Sequence, residues 1–151
     1  STTLLERAQQ MGADFTINYI ETDFSEIIGE ETEGRGVDIV FEHVGATTWD
    51  KSIASLAKKG RLVSCGVTSG NMAEIDIRKM YQKQFTIMGS ALGTASELRT
   101  IIHLAEHGKL SPIIDCVLPL HQAAEAHRII EARENFGKIC LSPGDILKRG
   151  A

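Results

Sequence analysis

The chain has 151 residues, 42% of them hydrophobic and 24% charged, and a formal net charge of -4, which suits a soluble domain with an apolar core. Its 16 basic residues are too dispersed for a nucleic-acid surface, where counterion release rewards clustered positive charge. No apolar run reaches the length of a membrane span, and no secretory leader pattern is visible; Cys65, Cys116 and Cys140, odd in number and widely spaced, read as thiols of a reducing, cytoplasmic compartment.

In chain order, Leu4, Leu5, Ala8 and Met11 share one helical face, with Ser1, Thr2 or Thr3 to cap the helix and Gly12 to stop it. Phe15 to Tyr19 alternates enough for a strand. Asp23 is placed to cap a second helix, with Glu26 three residues on as in a capping box. Phe24, Ile27 and Ile28 set its apolar face, and Gly34-Arg35-Gly36 turns the chain. Val37 to Phe41, nearly all apolar, reads as a strand covered on both faces. Glu42-His43-Val44-Gly45 stops it. Trp49, Ile53 and Leu56 recur at helical spacing, and Lys58-Lys59-Gly60 closes that helix with positive charge and a glycine. Arg61 to Cys65 is a second strand. Two strands joined by a crossover helix form a βαβ unit, nearly always right-handed. Ligands of such sheets sit just past the carboxyl ends of the strands, here His43-Val44-Gly45 and Cys65-Gly66-Val67.

Gly66 to Gly70 is a loop of small residues that lets a ligand approach the backbone. Asp76 to Gln84 is amphipathic, a short helix or irregular turn. Phe85 to Met88 is a strand ending at Gly89-Ser90. Ser96 is the expected cap of a helix with Leu98, Ile101, Ile102 and Ala105 inward, ended by Gly108. Leu110 to Pro119 is irregular or a short strand. His121 to Arg133 is a helix with Ala126, Ile129 and Ile130 inward, and Ile139 to Leu141 is the last strand. The alternation predicts an α/β fold, a mostly parallel sheet flanked by helices, without a linker long enough to separate domains. His103 and His107 have the i, i+4 spacing of a metal clamp, but the sequence fixes no third ligand, so no metal site is assigned. No catalytic residue is assigned either, since no histidine is identifiable as a base for Cys65.

The stretches LLERAQQMGADFTINY, GRGVDIVFEHVGATTWDKSIASLAKKGRLVSCGVTSG, FTIMGSALGTASELRTIIHLAEHGKLSPIID and VLPLHQAAEAHRIIEARENFGKICLSP, in this order, resemble the medium-chain dehydrogenases/reductases of the zinc-type alcohol dehydrogenase and quinone reductase branch. The resemblance covers Ser1 to Pro143. It implies a partial NAD(P)-binding Rossmann fold of strand order 3-2-1-4-5-6, with Phe15 to Asn18 as the third strand and Asp38 to Phe41, Arg61 to Cys65 and Phe85 to Met88 as the fourth to sixth. The first two strands, the glycine-rich pyrophosphate turn and the catalytic domain with any zinc ligands would precede Ser1. The chain is therefore expected to be a truncated cofactor domain plus a C-terminal tail.

By the same resemblance, His43, Val44 and Gly45 would border a ribose of NAD or NADP, and Cys65, Gly66 and Val67 would line the nicotinamide side. Met88, Gly89 and Ser90 would offer backbone groups near the carboxamide, and Lys138 would face the diphosphate. The implied activity is hydride transfer between nicotinamide and an alcohol, carbonyl or enone, in a homodimer or tetramer joined along the Phe85 to Met88 edge. Zinc-dependent alcohol dehydrogenase and zinc-free quinone or enone reductase both stand, because the deciding residues would lie upstream. Two other classes of answer are a non-catalytic dimerisation module and a doubly wound sheet that binds an unrelated nucleotide. The sequence contains no GxGxxG phosphate cradle, so the isolated chain is expected to bind dinucleotide poorly and to turn nothing over.

Overall fold

The structure, a computed structural model, describes residues 2–144, and the chain divides into two compact units between Leu92 and Gly93. The first holds helices α1 (Thr2–Gln10), α2 (Phe24–Glu31), α3 (Trp49–Ala54) and α4 (Ile77–Lys83). Its three strands, β1 (Val37–Glu42), β2 (Leu56–Ser64) and β3 (Thr86–Gly89), form a sheet of order β1-β2-β3. The second holds α5 (Ala95–Glu106), β4 (Ile114–Pro119), a single 3-10 turn at Leu120–Gln122, α6 (Ala123–Glu131) and β5 (Lys138–Ser142), with β4 paired to β5. Every strand pairing among the described residues is parallel. This is the α/β class read from the alternating pattern, a partial Rossmann-type arrangement.

The core of the first unit follows from register. Val40, Leu62 and Ile87 lie opposite one another in one row across the three strands. Ile53 and Trp49 of α3 pack against this row together with Leu56 and Phe85. Leu56 and Leu62 have no exposed surface, and burying each contributes roughly 1.5–3 kcal/mol. Side chains alternate across the pleat, so Ile39 and Phe41 point to the other face, where they remain 56% and 65% exposed. The expectation that β1 is covered on both faces is thus corrected: among the described residues only its Val40 face is buried.

The helix before β2 is shorter than its spacing predicts. It ends at Ala54, and Leu56 already belongs to the strand. The reason lies in where the last carbonyls go. Val37 N–H donates to the Ser55 carbonyl at 2.9 Å, and Lys83 Nζ donates to the carbonyls of Ala54 (3.0 Å) and Leu56 (2.7 Å). Groups from elsewhere satisfy the helix end, and the chain leaves it. Lys58-Lys59-Gly60 then forms an irregularity inside β2, between the pairs Val37–Leu56 and Ile39–Arg61, with Lys59 in the left-handed region at φ 65°. At Gly36 (φ 81°) a Cβ would stand 2.6 Å from the Ser55 carbonyl oxygen, so the turn into β1 requires glycine.

Other expectations are corrected at the ends of elements. Phe15 to Tyr19 forms no strand: among the described residues β1 pairs with β2 alone, and a strand needs a neighbour's donors and acceptors. The segment instead turns at Asn18, whose carbonyl accepts from Glu21 N–H and Thr22 N–H at 3.0 Å each. Asp23 does cap α2, but by accepting from Ser25 N–H (2.9 Å) and Ser25 Oγ (2.6 Å) rather than through a box with Glu26. The capping box occurs at α5, where Thr94 rather than Ser96 is the cap and pairs reciprocally with Glu97. The face of α5 expected to be inward, Leu98, Ile101, Ile102 and Ala105, is exposed among the described residues. In α6, Ala126 is buried and Ile129 half-buried, whereas Ile130 is exposed. Leu110 to Pro119 resolves into a definite strand from Ile114, because β5 supplies its pairing partner.

Two measurements check this account. Lys83→Met removes a charge-assisted donor from two carbonyls and is expected to lower unfolding free energy by about 1–3 kcal/mol in urea titration, whereas exposed Lys79→Met changes it by less than ~0.5 kcal/mol. The Asp23 carboxyl is held down at about 2, first by the Ser25 hydroxyl and then by Lys51 at 3.1 Å. A depressed carboxyl stabilises fully above its ordinary 3.8 and loses that contribution as pH falls through about 2. Thermal unfolding of wild type and Asp23→Asn should therefore differ near neutrality and converge across that acid window.

Candidate functional site

The carboxyl ends of the three strands finish level. Glu42 is opposite Ser64, and Ser64 is opposite Gly89. The ladder continues one step further, with Cys65 N–H donating to the Glu42 carbonyl (3.0 Å) and Ser90 N–H to the Ser64 carbonyl (2.9 Å). His43-Val44-Gly45, Cys65-Gly66-Val67 and Met88-Gly89-Ser90 consequently lie side by side along one edge. Nine of the ten residues singled out from the sequence are thus brought together. The tenth, Lys138, opens β5 in the second unit, where its N–H donates to the Ile113 carbonyl (2.8 Å) and its side chain is exposed.

The turn after β1 is built on Glu42. This side chain is only 3% exposed, the one charged residue buried among the described residues. Its Oε1 accepts from Val44 N–H (2.7 Å) and Gly45 N–H (3.0 Å). The Thr48 hydroxyl reaches both oxygens at 3.0 Å, and the Ser52 hydroxyl donates to Oε2. Burial pushes the carboxyl's pKa up, but the donors from Ser52, Gly45, Val44 and Thr48 outweigh it and hold the group below the usual range. Glu42 is therefore an anion at neutral pH, with its charge spent inside the turn.

The loop after β2 is fastened to that turn. Ser69 donates to the Val44 carbonyl through both N–H (2.7 Å) and Oγ (2.8 Å), and Ser69 Oγ accepts from Thr47 N–H at 3.1 Å. Ala46 N–H donates to the Gly70 carbonyl at 3.1 Å. The approach leaves no room for side chains. At Gly45 (φ 99°) a Cβ would lie 2.5 Å from the Gly70 carbonyl oxygen, and at Gly66 it would lie 2.6 Å from the His43 carbonyl oxygen. Cys65, expected to line the nicotinamide side, is exposed, as are His43 and Val67.

A cavity of about 230 Å³ opens beside the two loops, lined by Gly45, Trp49, Ser64, Gly66, Val67 and Gly70 among others. The Trp49 indole N–H is buried there without an acceptor. Ligand pockets for whole small molecules run from ~300 Å³ upward, so this one suits a portion of a larger ligand. Its lining carries no charged side chain, so any anionic part of a ligand would meet backbone and dipoles rather than a cation. A second hollow of about 370 Å³ lies at the start of α4, where Asp50, Glu74 and Asp76 outnumber Lys79 and would repel phosphate. Among the described residues no group of three or more His, Cys, Asp or Glu is placed to hold a metal ion. The His103 and His107 rings are tilted at 48° with centroids 4.1 Å apart, and among the described residues no third ligand joins them. Also among the described residues, no helix is long and apolar enough to cross a membrane.

Sequence reasoning missed Glu42, Thr48, Ser52 and Ser69 as the framework of this edge. The available signal was an acid closing a mostly apolar strand, followed by hydroxyl residues just before and within the next helix.

Known proteins resemble this chain over most of its length. Residues 11–141 match the family described as zinc-binding dehydrogenase. Quinone oxidoreductase 1 of Escherichia coli strain K12 is 31% identical over 91% of this chain and 46% of its own length. The NAD-dependent alcohol dehydrogenase of Sulfolobus acidocaldarius is 30% identical over 91% of this chain and 39% of its own. A crystal structure of an NAD-dependent alcohol dehydrogenase superposes with a TM-score of 0.84 at 38% identity, covering 95% of this chain and 42% of that one. The chain spans less than half the length of each. With the family match running through both units and including the whole strand-end edge, the chain belongs to the zinc-binding dehydrogenases, within the medium-chain dehydrogenases/reductases.

Proposed function

We propose that this chain is part of the dinucleotide-binding domain of an NAD(P)-dependent oxidoreductase that moves hydride between nicotinamide and an alcohol, carbonyl or enone. The observation that carries the reading is the level edge of three parallel strands with cross-bonded loops, the place where open α/β sheets take their ligands. His43, Val44 and Gly45 border a ribose in this reading, Cys65, Gly66 and Val67 flank the nicotinamide, and Met88, Gly89 and Ser90 present backbone to its carboxamide. The cavity's modest size agrees with one portion of the dinucleotide entering it, the rest lying across the edge.

The hydride chemistry belongs to the nicotinamide; these residues hold and orient it and keep water from one side. A zinc ion, where the enzyme uses one to polarise a carbonyl, would take its ligands from outside the described residues. Relatives named as alcohol dehydrogenase and as quinone oxidoreductase match about equally well, which supports the hydride-transfer class and keeps both substrate classes in view. The open side of β3 favours an added role in assembly: among the described residues it pairs only with β2, and an unpaired parallel edge invites a second copy.

Three outcomes follow. The full-length protein should bind NADH or NADPH in a fluorescence titration, while the isolated 151-residue chain shows no turnover with any of a panel of alcohols and quinones. Turnover by the isolated chain would overturn the reading. Gly45→Ala in the full-length protein should weaken dinucleotide binding about tenfold or more, because the turn must shift to admit the methyl group. Sedimentation of the full-length protein should give a dimer or tetramer, and a monomer at micromolar concentration would count against the β3 edge as an interface.

A further inference from the structure

We infer that Glu42 is a positioning residue that holds both loops of the strand-end edge in their ligand-binding shape; the ligand in this inference is the dinucleotide of the reading above, on which it rests. Burying a carboxylate is costly, and such a group persists in a fold only where donors replace its water. Here two of the donors are the backbone N–H groups of Val44 and Gly45, inside the turn assigned to the ribose. The other two are the hydroxyls of Thr48, which precedes the helix that backs the cavity as its N-cap residue, and of Ser52 within that helix. The carboxylate thus ties the turn to α3. Glu42 is also in β1, the strand that delivers the turn, and its own carbonyl takes Cys65 N–H. One residue therefore anchors strand, turn and helix.

The effect extends to the second loop because that loop has its fastenings on the turn. Val44 carries the Ser69 N–H and Oγ on its carbonyl, Ala46 holds the Gly70 carbonyl, and Thr68 Oγ1 reaches the His43 carbonyl at 3.4 Å. Gly45 and Gly66 sit at 2.5 and 2.6 Å limits of approach for an added Cβ, so a small displacement of the turn cannot be absorbed by sliding the loops closer. A turn released from Glu42 moves Val44, and Val44 moves Ser69. No described contact places Glu42 itself on the ligand; it acts through the backbone it holds.

The test compares three variants in the full-length protein. Glu42→Leu removes the acceptor, and Glu42→Gln keeps one carbonyl oxygen for the Val44 and Gly45 N–H groups. Lys83→Met destabilises α3 from its far end without touching the edge. Expected are dissociation constants for NADH or NADPH raised about tenfold or more in Glu42→Leu, and within about threefold of wild type in the other two. Where Glu42→Leu does not fold, Glu42→Asp, one methylene short of the turn, replaces it with the same expectation. Amide hydrogen exchange at Val44, Gly45 and Ser69, measured without ligand, should speed up in Glu42→Leu or Glu42→Asp and stay near wild type in Lys83→Met. Unchanged binding in Glu42→Leu, an equal loss in Glu42→Gln, or an equal loss in Lys83→Met at matched thermal stability overturns the inference. If wild type binds neither dinucleotide, the functional reading fails on its own, and the exchange rates alone decide whether Glu42 positions the loops: unchanged rates refute it.

Discussion

A buried carboxylate that cannot be left without donors is the constraint on which the functional edge depends. Glu42 lies at the end of β1, where the chain must reverse toward α3 and where no ladder partner remains for the turn's N–H groups. Its two oxygens supply those acceptors and bind the hydroxyls of Thr48, just before the helix, and of Ser52 within it. An apolar side chain of the same size would leave both the turn's N–H groups and the Thr48 and Ser52 hydroxyls without this acceptor in a buried setting, at roughly 1–3 kcal/mol for each group. The carboxylate stays ionised because these donors outweigh the desolvation that opposes it. Stability and site geometry therefore come from the same four contacts.

The apolar core is small and one-sided. Leu56, Leu62, Ile53 and Phe85 form it, with Val40, Trp49 and Ile87 around the rim. On the reverse of the sheet Ile39 and Phe41 stay exposed, with Met88 in the same row as Phe41. Parallel sheets are ordinarily covered on both faces. The one-sided cover makes α3 the element whose placement matters most, since it both buries the Val40–Leu62–Ile87 row and presents Thr48 and Ser52 to Glu42. Lys83 holds the other end of the same helix through the Ala54 and Leu56 carbonyls.

Much of this was legible in the residues. The apolar run from Val37, the spacing of Trp49 and Ile53, and the small residues at Gly45 and from Gly66 to Gly70 place β1, α3 and the two loops. The family resemblance rests on those same stretches. What was not legible depends on partners distant in sequence. Leu56 obeys helical spacing but enters β2, because Val37 and Lys83 take the carbonyls around it. Phe15 to Tyr19 alternates as a strand does, yet pairing decides what is a strand, and among the described residues β1 is paired with β2 alone. Ser96 looks like a cap as good as Thr94; only Thr94 stands three residues before Glu97. Glu42 reads as a stop signal in sequence, and its burial is visible only once Thr48 and Ser52 are folded over it.

The most direct test of the central claim is a crystal structure of the full-length protein grown with NADH or NADPH. The account predicts the nicotinamide and its ribose against His43–Gly45 and Cys65–Val67, with the Glu42 bonds to Val44 and Gly45 intact beneath them. A dinucleotide bound elsewhere, with these two loops untouched, would contradict it.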